Sequence, residues 1–166
     1  MKFNFIITAI AAFIPFFIGL IWFNPKVFGK IWLKSVRLTP GHLRWRNMFL
    51  LFLSTYVLSY LMAFILHTIV IPQYGFFTSI MSEPSWDQPG SNAYEFSQQY
   101  MARYGNNYRN FSYGLLRGAM SGLFFAFPIL GITAMYERRG YKFLFVTVSY
   151  WVVCLALMGG ILAALA

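Results

Sequence analysis

Charge is what this sequence has least of. Only 10% of its 166 residues are charged, and the four acids are outnumbered by thirteen lysines and arginines. A soluble domain carries about a quarter charged residues, so an ordinary water-soluble globule is excluded. A single cysteine, Cys154, excludes a disulfide scaffold. Two histidines, His42 and His67, fall in segments expected at opposite ends of the molecule, so they cannot share a metal. The acids all lie between apolar runs, and neither a nucleophile elbow nor a glycine-rich phosphate loop is present. These absences predict a protein that is not an enzyme, with no catalytic residue, no metal and no cofactor.

Apolar mass fills the chain instead: 59% is hydrophobic, 21% aromatic, and the mean hydropathy is +0.60. That composition excludes disorder. Crossing a bilayer takes about 20 apolar helical residues, and four stretches qualify, at about 3–23, 48–71, 113–136 and 143–165. The first is preceded by Lys2 like a signal peptide, but it is too long and ends in Trp22-Phe23-Asn24-Pro25 without a small-residue cleavage site. It reads as a retained span. The fold class is therefore all-α: a single membrane domain, 1–166, whose core is an integral bundle of four transmembrane helices.

The cations set an orientation. The segment 24–47 holds six lysines and arginines and no acid, and the short link before the fourth span carries a net +2. The link at 72–112 and the N-terminal Lys2 together sum to zero. Basic links stay in the cytoplasm, so both termini of this multi-pass chain are expected to face the periplasm. The excess of positive charge is then explained by anionic lipid rather than nucleic acid.

Two links carry predicted structure of their own. Asn24 and Pro25 suit the cap and first position of a short basic interfacial helix bearing Lys26, Lys30, Lys34 and Arg37, positioned for lipid headgroups. Thr39-Pro40 could cap the following helix. In the outer link 72–112, Pro84, Pro89 and Gly90 make the first half irregular. Asn92 and Glu95 resemble a capping box for a helix over about 93–104. Phe96, Tyr100, Tyr104 and Tyr108 then recur four apart, a packing stripe more than a ligand box.

The run Trp22-Phe23-Asn24-Pro25-Lys26-Val27-Phe28-Gly29-Lys30-Ile31-Trp32 resembles the opening signature of a bacterial family of small integral membrane proteins known as domain of unknown function 1761. Arg117-Gly118-Ala119 with Gly122, then Pro128, Tyr136-Glu137-Arg138-Arg139 and Met158-Gly159-Gly160-Ile161-Leu162 match it in style. The outer link is longer than the resemblance would suggest. The resemblance implies a four-helix protein of the bacterial inner membrane and brings no activity, so no catalytic residue is carried over.

Two constellations remain. Gly114, Gly118 and Gly122 lie four apart on the third span, and Ala156, Gly160 and Ala164 on the fourth. Small residues at that spacing let helix backbones approach closely in lipid, either within the bundle or between copies. Thr55, Ser59 and His67 form a polar row on the second span, and Arg117 is expected at the depth of His67. An intramembrane ionisable group is a functional-site hypothesis, set against snorkelling of Arg117 and a backbone bond for His67. The leading expectation is a non-enzymatic inner-membrane protein of unknown role, forming a homo-oligomer or accompanying a membrane-protein partner, with membrane lipids as further partners. The alternative is a small transporter or channel with an outward-facing polar pocket for an anionic solute, built on His67, Arg117, Ser59 and Thr55.

Overall fold

The computed structural model describes residues 3–36 and 48–166. Among them every regular element is helical: α1 (Phe5–Ala11), α2 (Ile14–Trp22), α3 (Gly29–Val36), α4 (Met48–Val70), α5 (Gln73–Ile80), α6 (Asn92–Tyr104), α7 (Phe111–Ser121), α8 (Phe127–Tyr136) and α9 (Tyr141–Leu165). A π turn, Gly122–Ala126, joins α7 to α8. Four helical runs are long and apolar enough to cross a membrane: Phe5–Trp22, Met48–Val70, Phe111–Tyr136 and Tyr141–Leu165.

Prolines interrupt two of these runs. Pro15 has no N–H to return to the carbonyl four residues back, and the first run breaks ahead of it into α1 and α2. The N–H of Phe13 turns to Ile10 O, and the Tyr56 hydroxyl donates to Ala9 O at 3.2 Å. Such rescue by a neighbouring helix is what makes a broken helix tolerable in lipid. The third run absorbs Pro128 by widening instead, with the Phe127 N–H reaching back to Gly122 O across the π turn.

The fourth run is the centre of the molecule. More than half of α9's apolar stretch (56%) is buried, against 17–22% for the other three. α9 packs on α1, α2, α3, α4, α7 and α8. Two aromatic side chains pin it to the first run: Tyr150 OH donates to Pro15 O at 2.7 Å, and Trp22 Nε1 donates to Val146 O at 3.1 Å. The core lies where α1, α4 and α9 meet, around Ala11, Ala12, Ala63, Leu66, Val70, Met158 and Leu162. Lipid tails are as apolar as these side chains, so close packing and hydrogen bonds hold such a bundle together.

The links depart from expectation in detail. The chain turns at Asn24–Phe28, with Asn24 Oδ1 accepting from Lys26 N, and α3 starts only at Gly29. Gly29 fits there because a side chain would run into the Phe23 carbonyl. α3 carries Lys30 and Lys34, both exposed, whereas Arg37 and the Thr39-Pro40 start lie outside the described residues. The first half of the outer link is not wholly irregular, since α5 forms directly after Pro72. α6 is capped by Ser91, whose hydroxyl accepts from Tyr94 N at 3.1 Å. Asn92 is already its first helical residue, so Asn92 does not cap the helix and Glu95 falls one position beyond the N3 site that a capping box requires. Of the tyrosine stripe, Tyr100 stacks on Phe76 of α5 at 3.7 Å, while Phe96 and Tyr108 remain exposed.

Candidate functional site

The glycine row is the closest helix contact. α7 and α9 run antiparallel with Gly114 against Gly159 and Ala163, Gly118 against Leu155 and Ala156, and Gly122 against Val152. A Cβ at Gly114 or Gly118 would collide with the carbonyl oxygen of Gly159 or Leu155, and one at Gly122 would lie 2.7 Å from Val152 Cα. Gly159 is the matching half from α9, and Gly160 makes room for the Phe111 ring. Ala156 is buried in the same seam, whereas Ala164 is exposed. The row is thus spent inside one chain. Its face is closed to a second copy.

The polar row does not form the expected pocket. Thr55 donates to Leu51 O of its own helix at 2.8 Å. Ser59 and His67 are buried on the bundle side of α4. Arg117 is exposed, its Nε donating to Tyr113 OH at 3.0 Å with the guanidinium 5.2 Å from that ring. The physical reason is rotation: Gly118 faces α9, so its neighbour Arg117 is turned about 100° away on the helix. An Arg117–His67 pocket is therefore not what the fold builds.

His67 instead centres a buried chain of hydrogen bonds at the end of the bundle that carries α5 and α6. The Thr8 hydroxyl donates to Asn4 O at 2.8 Å, as an i−4 bond within the first run. Its oxygen then accepts from His67 Nδ1 at 2.9 Å, which places the imidazole proton on Nδ1. Nε2 is left to accept from Tyr74 OH, 3.3 Å away. Phe3 stacks on the imidazole at 4.2 Å. The chain Tyr74, His67, Thr8, Asn4 ties α5, α4 and α1 together with every proton assigned. Burial raises the Tyr74 phenol above its usual 10.0, and the charge of Arg109 pulls the other way.

Arg109, which the sequence reading left in the link, is the nearby cation. Its Nη2 donates to the backbone oxygen of Ala166 and so closes the end of α9 onto the outer link. Gln73 is the second fastening. It is 2% exposed, and its Nε2 donates to Tyr104 O and Asn107 O, both at 2.9 Å, while Oε1 has no partner. Gln73→Leu should strip both carbonyls of their donor and loosen α6. Hydrogen exchange of the α6 amides is expected to speed up by about thirtyfold, at about 1 kcal/mol for each of the two lost bonds; unchanged protection would show that Gln73 does not hold α6.

At the opposite end, Arg139 pairs with Glu137 at 2.6 Å and lies over Phe143. Lys26, Lys30, Lys34 and Lys142 are exposed there. Among the described residues, no group of three or more His, Cys, Asp or Glu is placed to hold a metal ion. The cavities that flank the third run are apolar grooves. One is lined by Leu123, Phe127, Leu144, Phe145, Val148 and Val152, and another by Leu61, Ile65, Ile69, Phe125 and Leu155 with Ser121.

No curated protein and no solved structure matches the chain. A family model does, described as protein of unknown function (DUF1761), and it matches residues 6–163. With nearly the whole chain covered, the protein belongs to the DUF1761 family.

Proposed function

We propose that this chain is a non-enzymatic inner-membrane protein, with both termini facing the periplasm, that contacts anionic lipid and serves as an assembly or accessory module. One observation carries the reading: the polar side chains of the spans are committed to structure. His67 is bonded on both ring nitrogens, Arg117 is turned to Tyr113, and the grooves beside the spans are lined by apolar residues. A transport pathway for an anion would need those groups at a wet cavity.

The ends differ in charge as the positive-inside rule requires. Lys26, Lys30, Lys34, Arg138, Arg139 and Lys142 gather at one end with Glu137, while Glu83, Asp87 and Glu95 outnumber Arg103 and Arg109 at the other. With the glycine row occupied, association with a second copy or a partner would use the apolar outer faces of α4 and α8, where Phe49, Leu58, Ile129 and Ile132 are exposed. The test is native mass spectrometry of the gently extracted protein. The expected species carries phospholipid, alone or as a defined oligomer. A lipid-free monomer holding a small polar molecule would refute the reading.

A further inference from the structure

We infer that the start of α9 holds one anionic phospholipid in a defined site, with its phosphate between Lys34 and Lys142 and its acyl chains on either side of the Tyr141–Phe145 ridge. The inference rests on the lipid-contact reading above and narrows it to particular residues. Tyr141 and Phe145 are both exposed, at 79% and 64%, and stand one helical turn apart on α9. A groove of about 590 Å³ runs along one side of them, lined by Leu123, Phe127, Leu144, Val148 and Val152. A second, of about 310 Å³, lies on the other side between α9 and the α3 segment, against Phe28, Ile31 and Val146. Both therefore share this ridge.

A third depression, of about 260 Å³, lies at the start of the ridge, sharing Tyr141 with the larger groove and Ile31, Tyr141 and Lys142 with the smaller, and is completed by Lys34, Ser35, Gly140 and Phe143. Its character differs from the grooves because two exposed ammonium groups, Lys34 and Lys142, border it. Arg139 is already committed to Glu137, so these two lysines provide the positive charge of the mouth.

Charge complementarity selects the occupant. Two apolar grooves that converge on one basic mouth match an amphiphile with two chains and one negative head. A free phosphate would leave the grooves empty, and a zwitterionic lipid would bring a cation of its own to the two lysines. The mouth lies at the end that the charge distribution assigns to the cytoplasm, where the anionic leaflet meets it. Lys26 and Lys30 do not line the depression and serve as an internal comparison.

The experiment places the full-length protein in nanodiscs containing phosphatidylglycerol and phosphatidylcholine, extracts it gently, and counts retained lipids by native mass spectrometry. Wild type should retain phosphatidylglycerol in preference to phosphatidylcholine. The pair Lys34→Gln and Lys142→Gln should reduce that retention about fivefold for each cation removed. The pair Lys26→Gln and Lys30→Gln should leave it near wild type. Val148→Trp, which fills the larger groove and spares the charge, should also lose the lipid while melting at the wild-type temperature.

Equal loss in the Lys26 and Lys30 pair would assign the effect to bulk charge and overturn the site. Retention by Val148→Trp would remove the chains from the groove and overturn it too. Wild-type retention in the Lys34 and Lys142 pair would place the lipid elsewhere, refuting the site while the wider reading stands. A wild type that retains no phospholipid would refute both.

Discussion

Gly118→Ala is expected to destabilise the protein by about 3 kcal/mol, the upper end for overpacking a tight interior. The added methyl would meet the Leu155 carbonyl oxygen and lie 3.0 Å from Ala156 Cα. Both are backbone atoms, so no rotamer change relieves the clash, and α7 must move off α9 along the whole glycine seam. Gly131→Ala is the matched control, because nothing lies within 4 Å of a Cβ there. On helix propensity alone that change should be neutral or stabilise by up to about 1 kcal/mol. Thermal unfolding in detergent checks both. If Gly118→Ala melts with wild type, α7 and α9 do not meet at this residue. A change in complex size with an unaltered melt would instead place the row between copies.

The second large effect belongs to His67. Removing a fully buried side chain costs about 2–5 kcal/mol through lost packing and the cavity left behind. A hydrogen bond inside a membrane bundle averages only about 0.6 kcal/mol. The two magnitudes predict that shape outweighs bonding here, although His67 is the most polar group of its span. His67→Ala should therefore cost about 3 kcal/mol. His67→Phe keeps an aromatic ring, somewhat larger than imidazole, that can stack on Phe3; it fills the site while giving up the bonds to Thr8 and Tyr74, and should cost about 1 kcal/mol. Equilibrium unfolding of the two variants decides the matter. A His67→Phe protein as unstable as His67→Ala would mean that the hydrogen-bond chain, not the packing, holds α1, α4 and α5 together.

The four spans were legible because apolar length is a one-dimensional property and survives any arrangement of the helices. The glycine row was legible as a close-packing device for the same reason. Which helix fills it was not, because a row of small residues reads identically toward α9 or toward another copy. The polar site failed for a rotational reason. Depth along the membrane can be counted from the span ends, and it does place His67 and Arg117 near the same end of the bundle. Azimuth depends on which face is buried, and the burial of Gly118 turns Arg117 outward. Arg109 and Gln73 were missed because they belong to the link, where no periodicity marks a buried residue. The one available hint was Pro72, which can start a helix and so positions Gln73 in its first turn.

Pro15 and Pro128 illustrate a different limit. Each is a visible helix breaker, yet one produces a break with borrowed hydrogen bonds and the other a π turn. The outcome depends on what stands opposite. Tyr56 can reach the carbonyl of Ala9, which the break ahead of Pro15 leaves open. Around Pro128 the chain keeps its bonds by widening to Gly122.

The central claim of the proposal is that Ser59 and His67 face the interior of the bundle around α9 as structural groups rather than lining an aqueous path. Labelling with a charged, membrane-impermeant thiol reagent tests this most directly, applied to membranes that contain the native Cys154 protein and a Ser59→Cys variant in a Cys154→Ser background. Both positions are essentially inaccessible, at 0% and 1% exposure. The account predicts that neither thiol reacts in the native membrane and that both react after unfolding in detergent. Rapid modification of Ser59→Cys from the aqueous side would reveal a water-filled route along α4 and contradict it.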